Sequence, residues 1–171
     1  MITYQQILHN KILSRDALIK HINIWRMFNK KIVFTNGCFD ILHQGHIDYL
    51  SKARDLGNVL IVGLNTDASV KRLNKSPERP INKEQARAFL LTSSVLVDAV
   101  VMFDEDTPYE LIKAVQPDVL VKGADYKTED IVGYDIVKAR GGEVATIELT
   151  QGFSTTELIK KIKINVSSNA R

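Results

Sequence analysis

The sequence predicts a doubly wound α/β domain, a parallel sheet of about five strands with helices on both faces. Three observations predict it. From Lys31 onward, short apolar β-branched runs alternate with helical patterns, and joining such strands requires right-handed crossovers. Capping residues and glycines fall where those helices should start and stop. The segment Thr35–His46, with Gly37, Gly45 and two histidines, lies where the first strand hands over to a helix. In parallel α/β proteins, phosphates and nucleotides bind at that carboxyl end.

Residues 1–29 read as an amphipathic helical extension. Ser14, with Asp16, can cap a helix whose apolar positions Leu18, Ile22, Trp25 and Phe28 recur at helical spacing. It is expected to pack outside the main domain or on a second subunit, and the Trp25–Phe28 face suggests a homodimer. The main domain spans residues 30–164. Ile32–Thr35 is its first strand, and Gly45–Leu56 a helix stopped by Gly57. Val59–Leu64 is the second strand, followed by a short helix from about Thr66 to Leu73. Residues 74–80, with two prolines, form a surface loop. Asn82 caps a helix to about Val95, and Ala99–Phe103 is the third strand. Thr107-Pro108 opens the helix Tyr109–Val115, with proline at the first helical position. Val119–Lys122 is the fourth strand and Ile131–Ala139 a helix ended by Gly141-Gly142. Val144–Leu149 is the fifth strand. Ser154 caps the last helix, to about Ile164, and residues 165–171 are expected to be a flexible tail.

A chain of 171 residues can bury a full core without staples. The single cysteine, Cys38, excludes an intramolecular disulfide and fits a reducing compartment. A formal net charge of +3 is weak, and the basic residues are not gathered into a block, so no nucleic-acid or membrane partner is expected. The N-terminus lacks a basic region followed by an apolar one, so no signal peptide is expected. The longest apolar stretch, residues 95–103, is broken by Asp98 and too short to span a bilayer. The expected location is the cytoplasm.

Taken singly, His43 and His46 read as polar loop residues, one of them capping a backbone group. Taken together with Gly37, Asp40 and the intervening Gly45, they leave room for an α-phosphate between two imidazoles at a helix N-terminus. Two donors aimed at non-bridging oxygens suit transfer of a phosphoryl-type group, where a protein mainly positions and stabilises charge.

The stretch Phe34–His46, ending in His43-Gln44-Gly45-His46, resembles the signature of the cytidylyltransferase-like family of nucleotidyltransferases. Asn65–Arg72, Val121–Lys127 and Phe153–Thr156 strengthen the likeness, which covers roughly residues 30–163. Asn65–Arg72 and Val121–Lys127 are most similar to the branch that adenylylates D-glycero-β-D-manno-heptose 1-phosphate, as a stand-alone protein or as one half of a bifunctional enzyme. The resemblance implies a Rossmann-like fold, ATP and a sugar phosphate as substrates, Mg²⁺ as cofactor, and a separate sugar kinase upstream. It implies that His43, His46 and Lys71 are catalytic. The implied nucleotide-binding set adds Thr35, Asn36, Gly37, Phe39, Asp40, Arg87, Gly123, Asp125, Tyr126, Ser154 and Thr155 to the histidines. Asn65, Asp67, Lys71 and Arg72 would bind the sugar phosphate.

Physical roles fit these assignments. Ser154 and Thr155 offer hydroxyls and free amides to the β- and γ-phosphates, while Ser154 also serves as an ordinary N-cap. Lys71 and Arg72 neutralise the triphosphate or the sugar phosphate, or else form a solvated face. Asp125 can hold a ribose hydroxyl or a base amine, and Gly123 lets the base lie on the backbone; both also read as turn residues. Asp40 can orient a histidine or assist Mg²⁺, a hard cation suited to carboxylate and phosphate oxygens.

Two departures matter. The family's acidic-x-Arg triplet becomes Gln85-Ala86-Arg87, which keeps the arginine and moves the acid to Glu84 without an assigned role. Leu149-Thr150 stands where cytidylyltransferases for glycerol and choline phosphates carry Arg-Thr. The expected function is adenylyl transfer to heptose 1-phosphate for the lipopolysaccharide core. The alternatives are a cytidylyltransferase acting on glycerol 3-phosphate or a similar small phosphate, and a nucleotide-binding regulatory protein without turnover.

Overall fold

The computed structural model describes residues 1–74, 76–124 and 127–169, with side chains in the last helix described through Ile162 and at Ile164. Its strands are β1 (Ile12–Leu13), β2 (Ile32–Gly37), β3 (Val59–Asn65), β4 (Ala99–Phe103), β5 (Val119–Gly123) and β6 (Glu143–Ile147). Its helices are α1 (Tyr4–His9), α2 (Arg15–Met27), α3 (Gln44–Arg54), α4 (Asp67–Arg72), α5 (Glu84–Thr92), α6 (Tyr109–Val115), α7 (Tyr134–Ala139) and α8 (Thr155–Asn169), with a 3₁₀ turn at Thr128–Asp130. All strand pairs are parallel, in the order β1-β4-β3-β2-β5-β6. The chain steps from β2 outward through β3 to β4, then returns to place β5 on the other flank of β2. The winding direction therefore reverses between β2 and β5, where the carboxyl ends open a crevice.

β3 is buried along its whole length, and β2 over its first four residues, because helices cover both faces. One core layer joins Phe34, Ile61 and Leu120 to α2, α6 and α7; the other joins Val33, Leu60 and Val62 to α3 and α5. Two carboxylates set where strands begin: Asp118 accepts from the Ile32 amide at 2.7 Å, and Asp98 from the Leu60 amide at 2.8 Å.

The sheet has six strands rather than five, because the N-terminal segment supplies one. A strand of two residues carries too little periodicity to be read from sequence, and β1 forms because Ile12 and Leu13 pair with Val100 and Val101 on the open edge of β4. The segment is also not an outer appendage. Ser14 caps α2 as expected, accepting from the Ala17 amide at 3.2 Å, and Leu18 and Ile22 sit within the main core. Arg26 donates to the carbonyls of Val115 and Gln116 at the end of α6, and Lys11 donates to those of Thr92 and Val97 near the end of α5. Cations at helix C-termini satisfy carbonyls that the helices leave unpaired.

Smaller differences lie at element ends. α5 is preceded by Lys83 without a side-chain cap, because the Asn82 amide is turned back to the Asp40 carbonyl at 2.6 Å. α7 begins at Tyr134, after the 3₁₀ turn, and α8 runs to Asn169, through much of the expected tail. No helix among the described residues is long and apolar enough to cross a membrane.

Candidate active site

β2 ends at Gly37, and the chain then turns sharply, with Phe39 in the left-handed region at φ 42°. A Cβ on Gly37 would lie 3.1 Å from the Phe39 ring, so the glycine lets that ring fold back beneath the loop. α3 follows, with His43 at its N-cap position making no capping bond, which leaves the imidazole to the crevice. His46, one turn on, stacks on His43 with ring centroids 3.8 Å apart and planes 19° apart; the Phe39 ring tilts against His46 at 5.2 Å.

The Nδ1 atoms of both histidines are buried and have no partner among the described residues. Burial, the neighbouring His43 and the charge of Arg79 together push the His46 imidazole down to about 4, and a hydrogen bond with the Ile41 backbone only partly opposes this. Burial lowers His43 too. Both rings are neutral at pH 7. Gly45 is required by the stack: a Cβ there would stand 3.0 Å from Phe153 Cβ and 3.2 Å from His43 Nδ1.

The histidines border a cavity of about 560 Å³ over the carboxyl ends of β2 and β5. It brings together most of the segments expected to meet: Asn36 and Gly37 at the end of β2 with Phe39, His43 and His46 beyond it, Asn65 at the end of β3, Gly123 at the end of β5, and Ser154 and Thr155 at the start of α8. The Ser154 hydroxyl oxygen accepts from the Glu157 amide at 3.1 Å, so it caps α8 while its O–H stays available to donate. Neutral imidazoles, a hydroxyl and the positive end of a fifteen-residue helix together suit a polyphosphate.

Other expected residues serve the frame instead. Thr35 is fully buried and its hydroxyl bonds Tyr49 at 2.7 Å. Asp40 neither orients a histidine nor faces the cavity. Its buried carboxylate accepts from the Ile81 amide at 2.9 Å and the Asn82 amide at 2.9 Å, and pairs with Arg79 at 3.2 Å. Arg87 is no phosphate contact, being 0% exposed. It donates to the Asn82 carbonyl at 3.0 Å, the Cys38 carbonyl at 2.7 Å and the Asp67 carboxylate at 2.7 Å. That pairing occupies Asp67. Glu84 takes a role too, accepting from the Asp67 amide at 2.7 Å and so holding the start of α4.

Arg72 does not line the cavity; it pairs with Asp106, which does, at 2.8 Å, and with Asp104. Lys71 lines a separate, smaller cavity of about 260 Å³ rather than the histidine cavity. The structure therefore does not gather the catalytic trio of His43, His46 and Lys71. Asp125 and Tyr126 lie outside the described residues.

Arg79 went unnoticed in the sequence, within a loop that reads as solvated surface. Its side chain is only 10% exposed, is fixed by Asp40 and borders both cavities. Lys122, Thr107 and Phe153 also line the main cavity. Lys122 and Phe153 lay within the motifs Val121–Lys127 and Phe153–Thr156 without an assigned role, whereas only folding shows that Thr107 arrives.

Comparison with known proteins agrees with this geometry. A family model described as cytidylyltransferase-like matches residues 34–163. The bifunctional protein HldE of Wolinella succinogenes is 56% identical over 153 residues, 90% of this chain and 31% of that protein. The bifunctional protein HldE of Campylobacter jejuni is 57% identical over 153 residues, again 90% of this chain and 32% of that one. The chain thus spans about a third of the length of these relatives. Among solved structures, a lipopolysaccharide core biosynthesis protein from Thermoplasma volcanium matches with a TM-score of 0.58 at 30% identity, covering 71% of this chain and 97% of that one. A pantoate-beta-alanine ligase from Francisella tularensis, at 18% identity and a TM-score of 0.60 over 82% of this chain and 67% of that one, shares the fold. Because the family match runs unbroken from β2 into α8, taking in both the histidine loop and the helix N-terminus that faces it, the chain belongs to the cytidylyltransferase-like family and is a nucleotidyltransferase.

Proposed function

We propose that this chain transfers AMP from ATP to D-glycero-β-D-manno-heptose 1-phosphate, giving ADP-heptose and pyrophosphate for the lipopolysaccharide core. The observation that carries the reading is the stacked His43–His46 pair, with unpartnered Nδ1 atoms, facing the α8 N-terminus across one cavity. The choice of a heptose acceptor is supported by the motifs Asn65–Arg72 and 121–127, by relatives that carry the name HldE, and by the likeness to the lipopolysaccharide core biosynthesis protein of Thermoplasma volcanium.

In this reading the triphosphate lies over the imidazoles, with its β- and γ-phosphates at Ser154, Thr155 and the free amides of α8. A phosphate oxygen of the sugar phosphate attacks the α-phosphorus in line. As that P–O bond forms, the bond from the α-phosphorus to the bridging oxygen breaks, and its electron pair leaves on pyrophosphate. The attacking phosphate is already anionic near neutral pH, so the reaction needs no strong general base. His43 and His46 donate hydrogen bonds to non-bridging oxygens, and the incoming anion raises their proton affinity just where negative charge gathers. Arg79, held by Asp40 at the cavity wall, adds fixed positive charge.

Magnesium calls for oxygen ligands. No group of three or more His, Cys, Asp or Glu side chains able to hold a metal occurs among the described residues, and the Asp40 carboxylate is taken up by the 79–82 loop. Mg²⁺ needs only one or two carboxylates beside substrate phosphates and would enter with ATP; among the described residues, Asp106 and Asp130 are the acids that line the cavity.

Removing one such donor typically costs on the order of 10²–10³ in rate. His46→Ala is therefore expected to lose turnover of that order in a pyrophosphate-release assay while remaining folded. Near-native turnover in that variant would overturn the mechanism.

A further inference from the structure

Alternation along β2 divides the crevice between the two faces of the sheet. Thr35 points to the α3 face, where its hydroxyl meets Tyr49, so Asn36 projects from the opposite face. Gly63 on β3 identifies that face: a Cβ there would lie 3.2 Å from both Asn36 Cβ and Leu111 Cδ2 of α6, and 2.7 Å from the Phe34 ring. The imidazoles and Gly45 lie at the start of α3, and Phe153, just ahead of α8, meets Gly45 and His43 there. Asn36 instead shares its side of the cavity with Thr107 and Pro108, ahead of α6, and with Ile131 and Val132, ahead of α7.

Three buried side-chain atoms lack partners among the described residues: His43 Nδ1, His46 Nδ1 and Asn36 Oδ1. Phosphate oxygens can answer the imidazoles once the anion's charge has protonated them. They cannot answer Asn36 Oδ1, because a carboxamide oxygen and a phosphate oxygen are both acceptors. A folded protein seldom keeps a buried acceptor unpaired without a use for it. The missing partner is a donor, and on a sugar phosphate or a nucleotide the abundant donors are sugar hydroxyls. In-line displacement decides which sugar. With pyrophosphate leaving toward α8 on the α3 side, the nucleophile enters from the α6 side, where Asn36 stands.

We propose that Asn36 is an acceptor-specificity residue: its Oδ1 accepts a hydrogen bond from a hydroxyl of the incoming sugar phosphate, and the α6 side of the crevice is the acceptor-sugar subsite. This inference rests on the adenylyl-transfer reading above. It moves Asn36 from the nucleotide to the second substrate.

The test compares the native chain with Asn36→Ala and Asn36→Leu by pyrophosphate release and by thermal unfolding without ligand. The expected result is a rise of about tenfold in KM for heptose 1-phosphate, with KM for ATP within about twofold of native. Neither variant should melt much below the native chain, since the lost acceptor had no partner in the protein. An equal rise in KM for ATP overturns the proposal. So does a variant penalty that vanishes when 2′-deoxy- or 3′-deoxy-ATP replaces ATP, which would assign the contact to the ribose. Unfolding temperatures lowered by many degrees in both variants would reveal a structural hydrogen bond and also overturn it. If the native chain releases no pyrophosphate from ATP with heptose 1-phosphate, the transfer reading fails and takes this inference with it. Native turnover with an unchanged sugar KM in the variants refutes the inference alone.

Discussion

Acidification will cost the native chain more stability than it costs a His46→Gln variant. Burial, the adjacent His43 and the charge of Arg79 hold the folded-state His46 at about 4, against 6.5 for a free imidazole. As pH falls through 6.5 the unfolded chain gains this proton while the folded chain refuses it until near 4. The stability supplied by a neutral His46 is thus complete above about pH 6.5 and is lost on descending to about pH 4. At 1.36 kcal/mol per pKa unit, that interval amounts to about 3 kcal/mol, of which about 2.5 kcal/mol is gone by pH 4.5. For a chain of this size, the difference corresponds to roughly 5–10 °C in Tm. The assay is urea or thermal unfolding of both proteins at pH 7.5, 6.5, 5.5 and 4.5. The native curve should fall below its neutral-pH offset from the variant by that amount. If the two proteins lose stability in parallel over this range, His46 titrates normally and the stacked, desolvated pair is wrong.

Arg87→Met leaves the Asp67 carboxylate and two carbonyls without their donor and is expected to cost about 3 kcal/mol, read by calorimetry, with a fall in turnover as the Cys38 loop shifts. Arg87→Lys should not restore it, since one ammonium cannot span three acceptors from three segments. Gly45→Ala should behave oppositely: a Cβ at 3.2 Å from His43 Nδ1 displaces the imidazole and lowers kcat on the order of 10², while helix propensity keeps Tm near native. Leu18→Ala should cost about 3 kcal/mol in urea unfolding, against about 0.5 kcal/mol or less for Phe28→Ala on the exposed side, because α2 belongs to the core.

What could be read in advance divides along a physical line. Strand and helix positions followed from apolar runs and caps, and the caps at Ser14 and Ser154 form, whereas Asn82 does not cap its helix. The meeting of the histidine loop with α8 followed from topology, since parallel strands deliver all their carboxyl ends to one side. Directions of polar side chains did not follow. Arg87, Asp67, Asp40 and Thr35 each lie within a chemically suggestive motif, and each is spent inside the frame. A buried guanidinium with three acceptors is rare enough that an arginine beside a phosphate-binding loop reads as a phosphate contact. Only the folded geometry shows Asp40 closing the 79–82 loop and so delivering Arg79 to the cavity. β1 was hidden for another reason: its two residues form a strand because an edge of β4 is open to them, not because of local propensity.

Adenylyl transfer to a heptose phosphate is tested by pyrophosphate release from the purified chain with ATP or CTP, each against heptose 1-phosphate and glycerol 3-phosphate. Release is expected with ATP and heptose 1-phosphate alone, abolished to background in the double variant His43→Ala/His46→Ala. Release with CTP and glycerol 3-phosphate, or silence across every pair, would contradict it.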